Sequence, residues 1–208
     1  MTKRVKKNIK KTSKKNKNLF IFILIIIICF ALVSYSEKII KNKKEDYSTY
    51  NNFPFQYSES QKLWMTQLQI GIQPYDIPFH YHPKDLEDIV VEENIEDKIW
   101  AKPKQIFITM SPDVTPNEGI AAVEIAKLTG NRYKLFNIPT KSALTKPNNL
   151  TISITCMDAK EDVVVINFKK NKQNIVYSSG NCIHVEYVDS NESIRVASAF
   201  AYHILKIM

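Results

Sequence analysis

The sequence predicts a mixed fold, α/β or α+β, preceded by one transmembrane helix. Three observations carry that expectation. An apolar run without a charge occupies Leu19–Tyr35. A capped helix pattern lies between two strand-like segments within residues 105–138. Short strand-like segments then follow in series and end in a helix with one apolar face.

The apolar run, LFIFILIIIICFALVSY, has roughly 17 residues and extends to Ser36, close to the minimum that spans a bilayer. A buried core helix would interrupt such a run with a polar face every three or four residues, and none is present. Nine basic residues within 1–18 precede it and four lysines within 37–44 follow it. Basic flanks stay on the cytoplasmic side, so the expectation is a cytoplasmic N-terminus and an extracytoplasmic C-terminal domain. The run is longer than a signal peptide's core, which favours an uncleaved signal-anchor in the cell membrane. Secretion after cleavage near Ser36 is the alternative, and Cys29 lacks the small preceding residue of a lipid-modified cysteine. The organisation is then a basic tail at 1–18, an anchor at 19–36, a polar linker or stalk at 37–57 and a folded domain at 58–208.

Charge narrows the partners. The net charge of +8 over 208 residues sits in the tail and the segment after the anchor, leaving about −4 beyond Lys44. A mildly acidic domain does not suit phosphate backbones, so nucleic acid is not an expected partner. The tail sets topology, with anionic headgroups as its other possible contact.

Within the domain, residues 58–103 read as an irregular or helical N-terminal part. Leu63, Trp64 and Leu68 fit one side of a short helix, then Pro74, Pro78 and Pro83 break the chain, the last able to open a helix. Residues 104–208 read as the core sheet. Gln105–Met110 is a strand. Thr115, Pro116 and Glu118 form a capping box for a helix with Ile120, Val123, Ala126 and Leu128 as its apolar stripe, stopped by Gly130. Tyr133–Ile138 resumes as strand, completing a strand–helix–strand unit. A β-meander follows through Leu150–Cys156, Val163–Phe168, Ile175–Tyr177 and Cys182–Tyr187, with Val163–Ile166 apolar on both faces and central. The helix Glu192–Ile207 packs on the sheet through Ile194, Ala197, Phe200, Ala201 and Ile204.

Four sets of residues are candidates for chemistry. Ser111, Asp113 and Thr115 lie between a strand end and a helix start, where α/β folds bind anions, although the turn and the cap also account for them. His80 and His82 share one strand face, and with His184 they have the chemistry of a metal site if the fold brings them together. Surface histidines in a Pro-aromatic loop are the alternative. Cys182, His184 and Glu186 alternate on one strand face as a metal or thiol site, or as a polar face turned to water; neighbours there stand roughly 6.6 Å apart, long for a nucleophile and its base. Cys156 and Cys182 can pair as a disulfide, worth about 3 kcal/mol through loop closure, or remain two half-buried thiols.

No catalytic constellation converges and no cofactor motif is evident. The expected function is therefore a non-catalytic binding or interaction module of the cell envelope, integral to the membrane, with an envelope protein as possible partner. The aromatic-rich segment Tyr47–Tyr81 is the first choice for a contact region, with core packing as its alternative. A membrane-tethered hydrolase or transferase using the 111–115 loop, and a metal or thiol site at Cys182 and His184, are the other readings.

Overall fold

A computed structural model describes residues 21–22, 25–32, 47–147 and 151–208. The chain divides into two compact units, Met1–Glu45 and Asp46–Met208. In the first, residues 21–22 and 25–32 are helical and exposed. Among the described residues no helix is long and apolar enough to cross a membrane. The expected tail at 1–18 and parts of the expected anchor and linker lie outside the described residues.

The second unit is a mixed α+β fold with two sheets. Strands β1 (Tyr47–Tyr50), β2 (Phe53–Ser58), β3 (Leu63–Ile70) and β4 (Gln73–Phe79) make an antiparallel sheet in sequence order. This overturns two expectations: the described part of the expected linker is strand, and Leu63–Ile70 is strand rather than helix. Trp64, Leu68 and Ile70 do alternate on one face, but Thr66 between them is polar. It is buried with its hydroxyl donated to the Pro54 carbonyl at 2.9 Å, so hydropathy alone hides the period of two. Asn51 and Asn52 both take positive φ at the first hairpin, the conformation that a tight two-residue turn requires. Gly71 supplies positive φ at the third. The prolines at 74 and 78 are tolerated because β4 is an edge strand.

The other sheet has the order β5 (Val90–Val91), β9 (Ile175–Ser179), β10 (Cys182–Tyr187), β8 (Val163–Lys170), β6 (Gln105–Met110) and β7 (Thr140–Leu144). Only β9 and β10 pair antiparallel; the other neighbours are parallel. The expected meander is thus corrected: β10 enters between β9 and β8 and runs parallel to β8. The strand–helix–strand unit is β6, α2 (Pro116–Thr129) and β7, after a one-turn helix α1 (Asp97–Trp100). Its second strand lies later than expected. Tyr133, Phe136 and Ile138 are buried, but Lys134 and Asn137 take positive φ and break the extended chain. Nor do the described residues of Leu150–Cys156 form a strand; they make one bridge, Leu144 to Ser153, before a 3-10 turn at Cys156–Asp158.

Helix α3 (Glu192–Ile204) joins the two sheets and packs on α2 and β10. Tyr202 stands with its ring centroid 4.3 Å from that of Phe79 and 5.8 Å from that of Phe55, and its hydroxyl donates to the Tyr81 carbonyl at 2.8 Å. Trp100 Nε1 and Asn51 Nδ2 donate to the carbonyls of Ile204 and Ile207, each at 2.9 Å, and tie down the chain end. Among the described residues the core runs from Phe55 to Ile207, within Asp46–Met208, so this unit carries a hydrophobic core of its own.

Phe79 is fully buried where the antiparallel sheet meets α3, so Phe79→Ala is expected to cost about 3–5 kcal/mol in urea denaturation. Trp64 reports on the antiparallel sheet and Trp100 on the α3 side. Fluorescence of Trp64→Phe and Trp100→Phe should therefore give transitions coincident with circular dichroism; separate transitions would show that the two parts unfold independently.

Candidate functional site

Helix α2 is inverted relative to its hydropathy pattern. Ala121, Ile125 and Leu128 face the core, but so do Glu124 and Lys127, only 1% and 8% exposed. Val123 is 55% exposed and Ile120 37%. A helix that buries two charges and exposes two β-branched hydrophobes breaks the usual rule, and such breaks concentrate where a protein does its work.

The exposed hydrophobes form a wall of a cleft of about 430 Å³ between α2 and the antiparallel sheet. Leu63, Pro78, Pro116 and Tyr133 continue the wall, and His80, Glu124, Lys127 and Arg132 supply its polar groups. Glu124 Oε1 accepts from His80 Nδ1, while its Oε2 accepts from Lys127 Nζ. Lys127 also donates to the Pro78 carbonyl, and its ammonium stands 4.2 Å from the Phe79 ring centroid. Both carboxylate oxygens and much of the ammonium are thus satisfied, as a buried pair requires.

Burial raises the Glu124 carboxyl, but the His80 hydrogen bond and the Lys127 charge outweigh it, and the net direction is downward from the ordinary value. An ionised Glu124 can only accept, which puts a proton on His80 Nδ1 and leaves Nε2 outside that hydrogen bond. Burial lowers the Lys127 ammonium despite Glu124 beside it. The Glu124 hydrogen bond orients the His80 ring, which can then make one directed hydrogen bond. Among the described residues lining the cleft there is no serine, threonine or cysteine.

The three histidines considered as metal ligands are placed apart. His80 belongs to this cleft. His82 is buried among Tyr50, Phe55 and Trp64, with Nδ1 accepting from the Lys84 amide at 3.2 Å and Nε2 at 2.7 Å from the Ser48 hydroxyl. Both its ring nitrogens are engaged, and it caps the 3-10 turn Pro83–Leu86. His184 lies in the other sheet, stacked on Tyr177 with centroids 4.7 Å apart and an interplanar angle of 13°. Among the described residues the one group with metal-ligand spacing is Cys156, Cys182 and His184.

Cys156 and Cys182 form a disulfide with Cα atoms 5.2 Å apart, fastening the loop after β7 to β10. The β10 face carrying Cys182, His184 and Glu186 is largely covered, with His184 half-buried between the other two. Cys182 is 1% exposed, and Glu186 is buried with hydrogen bonds from Asn171 and from Tyr177 Oη at 3.1 Å.

Of the loop residues between β6 and α2, Thr115 is consumed by the capping box: its Oγ1 accepts from the Glu118 amide, and Glu118 Oε2 accepts from the Thr115 amide at 2.7 Å. Tyr187 Oη donates to the other Glu118 oxygen at 2.5 Å. Ser111 and Asp113 are exposed on the approach to the helix and do not line the His80 cleft. Sequence reasoning missed Glu124, Lys127 and Arg132; the signal for the first two was charge at core-facing helical positions, and the exposed Arg132, beyond the helix end, offered none.

Two outcomes follow from these environments. Burial lowers the pKa of His82, His184 and His203 below the ordinary 6.5. The unfolded chain then binds more protons than the folded one as pH falls through 6.5, so stability should be level above about pH 7.5 and decline below 6.5. Urea midpoints from pH 8 to 5 check the slope, and nuclear magnetic resonance of the ring protons should show these three histidines titrating below 6.5. Glu124 adds a separate contribution, present above the ordinary 4.5 and lost as pH falls through its depressed value. Glu124→Gln strands a buried ammonium and should cost about 3–5 kcal/mol by the same denaturation assay.

Comparison with protein-family models, with curated proteins and with solved structures gives no match, so function must be read from the geometry of these sites.

Proposed function

We propose that Asp46–Met208 is a non-catalytic binding module of the cell envelope, held at the membrane by the apolar run within 19–36. Its occupant is an envelope component that presents an apolar group with an acidic or hydrogen-bond-accepting end. The observation that carries this reading is the cleft itself: exposed Ile120 and Val123 beside the buried Glu124–Lys127 pair, with the exposed His80 held by its hydrogen bond to Glu124.

Shape and chemistry support it together. About 430 Å³ falls within the range of small-ligand sites, which are mostly apolar with a few placed polar groups. Removing Val123 and Ile120 from water on binding would contribute roughly 25 cal/mol per Å² of apolar area. The guanidinium of Arg132, exposed and 5.8 Å from the Tyr133 ring centroid, adds positive charge at the cleft for an acidic end. His80, with its ring fixed by Glu124, gives direction to one hydrogen bond, and a fixed donor or acceptor costs little ordering on binding. The charge-free run after nine basic residues supports the tether and its orientation.

A fluorescent fatty-acid analogue, titrated into purified Asp46–Met208, tests the reading. Saturable 1:1 binding is expected, weakened at least tenfold by Val123→Glu, which places a charge in the apolar wall, and severalfold by Arg132→Ala. Both variants alter exposed side chains and should keep the wild-type melting temperature. Absence of saturable binding, or binding unchanged in Val123→Glu, would sink the proposal.

A further inference from the structure

The sheet face beneath the Thr151–Asp158 loop carries a second constellation, independent of the cleft. Cys156 Sγ lies 3.7 Å from His184 Nε2, and the ligand atoms of Cys156, Cys182 and His184 all fall within 4.8 Å of one another. A tetrahedral zinc site with Zn–S of about 2.3 Å and Zn–N of about 2.0 Å sets its ligand atoms roughly 3.5–3.8 Å apart. The sulfur–imidazole pair already has that spacing. Asn167, in register with His184 on the neighbouring parallel strand, has a buried Oδ1 with no hydrogen-bond partner among the described residues. A buried acceptor left unpaired in a folded domain calls for an explanation, and a bound water or ion is one of the accepted ones.

We propose that Cys156, Cys182 and His184 form a redox-gated site for a soft divalent cation such as zinc, closed while the disulfide is intact and opened by a dithiol. One thiolate of the dithiol attacks Cys156 Sγ, the half-buried sulfur, and the bond to Cys182 breaks with Cys182 leaving as thiolate. The second thiolate of the dithiol then displaces Cys156. The dithiol is oxidised to its own disulfide and the protein gains two electrons. The metal takes the two thiolates and the neutral imidazole, and the two protons of the dithiol pass to solvent. Two thiolates balance a divalent charge, and a fourth position stays open beside Asn167.

The open state is held ready by contacts that do not involve sulfur. Thr109 Oγ1 donates to the Ile154 carbonyl at 2.7 Å, and the Leu144 and Ile154 amides donate to the Ile152 and Leu144 carbonyls at 3.0 and 2.9 Å. Asp158 Oδ2 accepts from the Thr155 amide at 2.8 Å and fixes the turn that begins at Cys156. Stacking on Tyr177 fixes the imidazole plane. Cys182 is set in β10 between two strands. Reduction therefore separates two sulfurs whose backbones stay in place, which is the preorganisation a metal site needs.

Cobalt(II), an optical stand-in for zinc, tests this on Asp46–Met208 purified with its disulfide intact. A phosphine serves as reductant so that no added thiol competes for metal. The oxidised unit should show no thiolate-to-cobalt charge-transfer band. After reduction a band should grow to one equivalent and bleach on adding zinc, with the circular dichroism of the folded unit retained. His184→Phe should bind at least tenfold more weakly, Cys156→Ser should abolish the band, and His80→Ala should leave it unchanged. The proposal is overturned if reduction unfolds the unit, if the reduced unit binds no cobalt, or if His184→Phe binds as the wild type. Should His184→Phe fail to fold, the Cys156→Ser and His80→Ala pair still decides, because loss in both or in neither contradicts the assigned ligands.

Discussion

Tyr202 reaches from the C-terminal helix with its ring against Phe79 and its hydroxyl on the Tyr81 carbonyl, and these contacts fix the chain on both sides of His80. Phe79 meets Tyr202 and also the Lys127 ammonium, so one buried ring relates the antiparallel sheet to α3 and α2 at once. The position of His80 over Glu124 follows from that packing. Burial keeps the Tyr202 hydroxyl protonated far beyond its ordinary range, and it stays a donor at any pH the fold survives. The contact that positions the cleft thus stays a neutral hydrogen bond.

The Glu124–Lys127 pair is a poor choice if stability alone is at stake. Well-packed hydrophobes in place of a buried ion pair are often neutral or stabilising, because two charges must be taken out of water. What the pair supplies is direction. Its carboxylate decides which nitrogen of His80 carries the proton, and its ammonium closes the Pro78 carbonyl at the end of β4. An apolar substitute would fill the same volume and leave the imidazole free to turn.

Much of the second half of the chain was legible because its elements obey local rules. Thr115 and Glu118 mark the start of α2, Gly130 its end, and the apolar run in β8 marks a central strand. The first half was not, because burial there is carried by residues whose hydropathy does not announce it. Thr66 and His82 are interior and polar, and Pro74 and Pro78 sit within a strand. Strand order in the mixed sheet was also hidden, since nothing local says that β10 passes between β9 and β8. The cleft was invisible for a related reason. Val123 and Ile120 were read as core because hydrophobes usually are, and only the fold shows that Glu124 and Lys127 took their places.

Pro74 and Pro78 have a consequence beyond the strand that contains them. A sheet edge with its backbone donors intact is a template on which another copy can extend the sheet. β4 lacks the amide hydrogen at two of its seven positions and carries Asp76 between them. Its margin is therefore a poor seed for strand-by-strand polymerisation. Copies of this unit can therefore crowd at high local concentration and remain separate at this edge.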